Sequence, residues 1–164
     1  MYKRQNEDLW AIPVLMGLFI LLFRGGKRAR IAVGIVLIST GITDLTVVEV
    51  IKPAISRLRP SHVLSDTINI LIGKGGKYGF VSAHAANIFC ATTILSYFYE
   101  QWKKPLLFLA ILVSISRVYV GVHYPGDIIF GGLYGYGIAW LFITIWVTIK
   151  MRELKRGRTW IQYQ

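Results

Sequence analysis

The residues of this chain whose types and spacing suit them to chemistry are Lys52, Arg59, Ser82, His84, Arg117, His123 and Asp127. Residues 116–127 place a cation, an imidazole and a carboxylate where one apolar run ends and the next begins. Cations without an equal number of nearby acids ask for a polyanion. A phosphate fits, because guanidinium forks match its oxygens while lysine adds a point charge. Imidazoles either attack phosphorus or carry protons near neutral pH. An aspartate four positions after a histidine can hold one ring nitrogen and set its tautomer, leaving the other nitrogen as a nucleophile. A second histidine can then protonate the departing oxygen. Together these groups describe phosphoryl transfer to histidine followed by hydrolysis.

The elements that must position them read as membrane helices. The chain has 164 residues, one domain's worth, of which 54% are hydrophobic, and its mean hydropathy is +0.52. The apolar residues fall in long runs rather than in stripes, which is the pattern of an integral membrane protein. Lys and Arg total 19 against 8 Asp and Glu, a net charge of +11. No RNA- or DNA-binding motif accompanies this charge, so no nucleic-acid partner is expected. A positive bias in cytoplasmic loops and a site for an anionic substrate account for it instead. Cys90 lies in an apolar run and reads as a buried core thiol.

A first apolar run covers about residues 9–23 and has the length of a signal-peptide core. However, Glu7 and Asp8 precede it, no small-x-small cleavage site follows, and Arg24 leads into more cations. It therefore reads as a first helix flanked by Trp10 and Arg24. The cluster Arg24, Lys27, Arg28 and Arg30 places the next loop in the cytoplasm. A second span, about residues 31–51, brings Lys52 to the outer surface. The external segment that follows contains Pro53, Pro60 and a Gly-Lys-rich stretch at residues 73–77, and within it residues 68–72 are too short to span. They are expected to rest in the interface or plug the bundle. A third span at about residues 80–99 returns to Lys103 and Lys104. Pro105 opens a fourth, which runs outward to about Val120. The fifth, about residues 127–149, ends in Lys150, Arg152, Lys155, Arg156 and Arg158.

All basic clusters then share one face, as an external N-terminus, an odd number of spans and a cytoplasmic C-terminus require. The expected fold is thus all-α: a single domain, residues 1–164, of about five transmembrane helices. It belongs in a bacterial-type inner membrane, with the active site at the outer, periplasmic face. The outer helix ends carry Lys52 and Arg59, then Ser82 and His84, then Arg117 and His123, then Asp127. An ionisable group at mid-bilayer costs of the order of 3 kcal/mol on insertion scales, so such clustering calls for a function.

Lys52-x6-Arg59-Pro60, Ser82-Ala83-His84 and Ser116-Arg117-x5-His123-x3-Asp127 together resemble the three-part signature of the type 2 phosphatidic acid phosphatase superfamily. The first and third parts match at every defining position. In the middle part Val81 and Ala83 stand where the family usually has proline and glycine, and the family commonly has six spans. The resemblance implies a metal-independent phosphatase without a cofactor, acting on a phosphorylated membrane lipid. It implies His123 as the nucleophile that forms a phosphohistidine and Asp127 as the residue that orients it. It implies His84 as general acid for the leaving group and then base for the attacking water. Lys52, Arg59, Arg117, the Ser82 hydroxyl and the Ala83 N–H would hold the phosphate. Lipid A 1-phosphate is the first substrate expected; undecaprenyl pyrophosphate, phosphatidylglycerophosphate and phosphatidate are the alternatives. A non-catalytic anionic-lipid binder or transporter would use the same cations.

Other polar residues have plainer readings. His62, Lys74 and Lys77 read as exposed, the lysines with the sharper option of a second phosphate contact. Glu49 is expected to pair locally with Lys52, and Asp44 to find a structural partner in the bundle. Arg57 is not at a defining position of the first motif and reads as a surface contact. Gly131 and Gly135 are spaced for close helix packing.

Overall fold

The computed structural model describes residues 11–64 and 75–158. The expectations for residues 1–8, Trp10, residues 68–72 and Lys74 lie outside the described residues. Helix α1 is Ala11–Arg24 and α2 is Lys27–Thr46, which continues through a π turn, Val47–Ile51, into the short α3, Lys52–Ile55. After α4, Pro60–Val63, come α5, Ala83–Phe98, and a 3-10 turn, Glu100–Trp102. The last two helices are α6, Lys103–Tyr119, and α7, Pro125–Lys155. The described residues form no strand; Leu58 and Tyr78 make an isolated antiparallel bridge.

The five longest helices fall on the five apolar runs, but their ends differ from the expected ones. Lys27, Arg28 and Arg30 lie in the first turns of α2 rather than in a loop, and Lys103 and Lys104 open α6 ahead of Pro105. Lys and Arg are good helix formers, and proline near a helix start needs no N–H, so a helix extends past the end of its apolar run. Two stretches, Lys27–Ile55 of 29 residues and Pro125–Lys155 of 31, are long and apolar enough to cross a membrane. At about 1.5 Å per residue each exceeds the hydrocarbon core of about 30 Å. Helices α5 and α6, of 16 and 17 residues, reach only about 24–26 Å on the same rise.

Helix α5 stands at the centre. Its most extensive contact is with α7, and α2 and α6 pack on its other sides. Ala32 and Val36 of α2, Cys90, Ile94 and Phe98 of α5, and Ala139, Ile143 and Trp146 of α7 form one buried cluster. Small residues close the α5–α7 seam. A Cβ at Gly131 would sit 2.7 Å from the Ser82 carbonyl oxygen, and one at Gly135 would overlap the Ala86 carbonyl. Far from the candidate site, Arg28 donates to the Phe98 carbonyl and lies 4.8 Å over the Tyr99 ring. This ties the start of α2 to the end of α5, where orphan carbonyls favour a cation.

Candidate active site

Every candidate residue lies at a helix end or in a loop joining two helices, and all at the same end of the bundle. Lys52 follows the π turn of α2, which shifts it off the face an unbroken α-helical register would give it. Ser82 is the N-cap of α5; it is fully buried, and its hydroxyl oxygen accepts from the Ala85 N–H at 3.4 Å. Ala83 and the exposed His84 form the first turn of that helix. Arg117 stands in the last turn of α6, with its Nε 3.4 Å from the Ser116 hydroxyl. Gly121, at φ +79°, then turns the chain toward α7.

The segment before α5 is folded back on itself to carry Arg59. Pro60 holds Arg59 extended, at φ −71° and ψ 153°. The Arg59 N–H donates to the Lys77 carbonyl at 3.3 Å, and its Nε donates to the Tyr78 carbonyl at 3.3 Å. The returning segment must be bare where the guanidinium lies. A Cβ on Gly75, whose φ is +66°, would stand 2.7 Å from Nη1 of Arg59, and one on Gly79 would stand 3.0 Å from its Cγ.

His123 and Asp127 are almost wholly removed from solvent, and His123 Nδ1 lies 3.4 Å from Oδ2 of Asp127. The Tyr124 N–H donates to the same oxygen at 2.9 Å, while the Asp127 N–H donates to the Tyr124 carbonyl at 2.9 Å. This reciprocal cap starts α7 and aims the carboxylate at the imidazole. Burial pushes the His123 imidazole below its ordinary pKa; Arg59 and Lys52 add to this, and Asp127 opposes it without prevailing.

The remaining groups converge on this pair. Arg117, His123, Arg59 and Lys52 all act electrostatically on His84. Arg59, Asp44 and Asp127 act on Lys52. The set drawn from the sequence is therefore one cluster, with Nε2 as the His123 nitrogen turned away from Asp127.

Arg57 belongs to the cluster and was missed. Its Nη1 lies 3.2 Å from Oδ1 of Asp127. The signal for it was the spacing: Arg57 and Arg59 flank Leu58 ahead of a proline, and in extended backbone residues two apart share a face. The expected Glu49–Lys52 pair is not made among the described residues; Glu49 is exposed instead. Asp44 finds a partner in Asn87, whose Nδ2 donates to it at 3.0 Å. His62 and Lys77 are exposed, and Cys90 is buried. Among the described residues no group of three or more His, Cys, Asp or Glu is arranged to hold a metal ion.

Helical architecture and site motifs together define a class, and comparison with known proteins bears on it directly. Residues 29–151 match the PAP2 superfamily, and this chain belongs to that superfamily. Over 148 residues it is 32% identical to a lipid A 4′-phosphatase of Bacteroides thetaiotaomicron, covering 85% of this chain and 65% of that protein. It is 34% identical to an undecaprenyl-diphosphatase of Sulfolobus acidocaldarius, covering 94% of this chain and 71% of the relative. The crystal structure of a transmembrane PAP2-type phosphatidylglycerolphosphate phosphatase from Bacillus subtilis matches with a TM-score of 0.61 and 26% identity, over 88% of this chain and 71% of that one. The chain thus spans just under two thirds of the lipid A phosphatase. It is a membrane protein of this superfamily whose described residues form helices and no strand.

Proposed function

We propose that this chain is a membrane lipid phosphatase that works through a phosphohistidine on His123. The observation that carries the reading is the buried His123–Asp127 pair, 3.4 Å apart, set among Lys52, Arg59, His84 and Arg117. Nε2 of neutral His123 attacks phosphorus; a P–N bond forms as the P–O bond to the lipid breaks, and His84 gives its proton to the departing oxygen. Water then attacks the phosphohistidine. His84 takes a proton from that water, the P–N bond breaks, and phosphate leaves. Lys52, Arg59 and Arg117 hold the equatorial oxygens as charge spreads over them, with the Ser82 hydroxyl and the Ala83 N–H at the start of α5.

The whole chain acts as one phosphatase domain, in a bacterial-type inner membrane. On this reading its five long helices cross the bilayer, the short α1, α5 and α6 by local thinning of the bilayer around them; the site faces outward and the C-terminus is cytoplasmic, and the basic clusters at the opposite ends of the helices support this. A cleft of about 910 Å³ between α5, α6 and α7 is lined by Phe89, Leu107, Ile111, Ile128, Leu133 and Trp140, among others, with Glu100 and Lys103 as its charged lining residues. Hydroxyls in its wall are turned to backbone: Thr92 donates to the Ile88 carbonyl at 2.7 Å and Ser114 to that of Ala110 at 2.8 Å. The cleft therefore offers carbon to a lipid tail while the phosphate sits among the cations.

For the head group, a lipid A phosphate draws support from the Bacteroides relative, whose name gives the 4′ rather than the 1 position. A polyprenyl diphosphate draws support from the Sulfolobus relative and from the cleft. It follows α7 from Ile128 to Ile143, about 22 Å at the helical rise, which is longer than one leaflet's share of the core. The test is phosphate release by the full chain from lipid A 1- and 4′-phosphates, undecaprenyl diphosphate, phosphatidylglycerophosphate and phosphatidate, with and without chelator. Binding of these lipids without release, unchanged in His123→Ala, would mean a binder or transporter rather than an enzyme.

A further inference from the structure

Arg57 has a side chain 42% exposed, yet its Nη1 lies 3.2 Å from Oδ1 of the fully buried Asp127. Its guanidinium carbon sits 4.3 Å from the centre of the Tyr124 ring, which gives the plane a second support. Oδ2 of Asp127 accepts from the Tyr124 N–H at 2.9 Å on the other side, where His123 Nδ1 lies 3.4 Å from it. Both carboxylate oxygens are therefore assigned, and the group cannot rotate without losing one of them. The arginine is itself anchored, because the Gly79 N–H donates to the Arg57 carbonyl at 2.9 Å. Gly79 also leaves room for the arrangement, since a Cβ there would stand 3.4 Å from Oδ2.

We propose that Arg57 is a positioning residue for the reaction assigned above. It holds the Asp127 carboxylate in one rotation and takes up part of its charge, and so sets how strongly Asp127 pulls a proton onto His123. The inference rests on the phosphohistidine reading. Arg57 touches no reacting atom; it acts through Asp127. The charged and titratable groups around His123 are Asp127 from α7, His84 from α5, Lys52 from the start of α3, Arg59 from the segment after α3, and Arg117 from the end of α6, which acts on His84. Lys52 and Arg59 oppose protonation of His123, and a substitution at Arg57 leaves both in place. A shift in His123 titration therefore reports the Arg57–Asp127 contact. Without Arg57 the carboxylate acts on His123 with its full charge, the imidazole binds its second proton at higher pH, and the nucleophile is lost earlier on acidification.

The test compares wild type, Arg57→Gln and Arg57→Lys as full chains in detergent or bilayers. In Arg57→Gln, kcat is expected to fall about 10- to 100-fold through misalignment at a nearly unchanged KM, and the acid limb of kcat/KM to move to higher pH. Arg57→Lys keeps the charge but not the fork or the stack, so it should restore the limb and only part of kcat. Nitrogen-15 resonances of His123, assigned by their loss in His123→Gln, should titrate at higher pH in Arg57→Gln than in wild type. Unchanged kcat and titration would overturn the proposal, as would a raised KM at constant kcat, which would mean that Arg57 binds phosphate directly. Should wild type hydrolyse no lipid phosphate, the proposed function fails, while the His123 titration still decides the role of Arg57. Should Arg57→Gln not fold, Arg57→Lys decides it: a lowered kcat with an unmoved limb supports the role, and an unchanged kcat overturns it.

Discussion

The Ser82 N–H donates to the Asp127 carbonyl at 3.0 Å, joining the first turns of α5 and α7. His84 lies two residues from one end of this bond and His123 four from the other, so it sets the two imidazoles relative to each other. The seam of small residues begins there: Gly131 lies on the Ser82 carbonyl, one turn beyond Asp127, and Gly135 on that of Ala86. Any group that forces these helices apart moves the proposed acid away from the proposed nucleophile.

Gly135→Ala therefore should lower both stability and turnover. Its Cβ would overlap backbone rather than a movable side chain, and overpacking of this kind costs about 1–3 kcal/mol. Gly137→Ala, with nothing within 4 Å of the added carbon, should lose neither. Thermal denaturation in detergent and phosphate release measure the pair; equal behaviour would show that the seam does not position the site.

His123→Ala should abolish formation of an acid-labile, base-stable phosphoenzyme. His84→Ala should still become labelled by an aryl phosphate, whose leaving group needs no proton, but should turn over about 10²–10⁴-fold more slowly on a lipid, where general acid catalysis is required. Labelling that persists in His123→Ala would exclude this nucleophile.

The acid limb of kcat/KM should lie below about pH 6.5, the ordinary value for histidine. Burial lowers the folded-state pKa of His123, so the neutral nucleophile survives to lower pH than a solvated imidazole would. The same shift has a stability consequence. The unfolded chain takes up the proton first, so stability is fully present above about pH 6.5 and declines as pH falls below it. A pH–rate profile and melting curves across pH 4–8 check both, and an acid limb above pH 7 would contradict the assignment.

Asp44→Ala should destabilise the protein with little effect on chemistry. It removes the acceptor for Asn87 Nδ2 at 3.0 Å, and interhelical hydrogen bonds in membranes are worth about 0.6–2 kcal/mol. Asp44 is also one of the charges acting on Lys52. A change in KM larger than the change in melting temperature explains would move Asp44 from scaffold to substrate binding.

Helix content was legible in the sequence because each long helix coincides with an apolar run, and apolarity is local. Helix ends were not: Lys27 and Lys103 lie inside helices because lysine suits a helix whether or not it is buried in lipid. The way residues 75–79 lie against residues 57–59 was hidden as well. It depends on the Leu58–Tyr78 bridge and on two glycines that matter only because Arg59 lies against them.

By itself the sequence determined the family and the groups of the proposed site, since motif spacing is a property of the chain: a histidine four residues before an aspartate at a helix start meets it with little help from elsewhere. Only the tertiary structure decided what surrounds that pair. Arg57 and Asp127 are far apart in the chain and no local rule joins them. Their contact exists because the α5–α7 seam, closed over glycine, and the glycine-lined return of residues 75–79 bring a cation to a buried carboxylate that has one oxygen left to give.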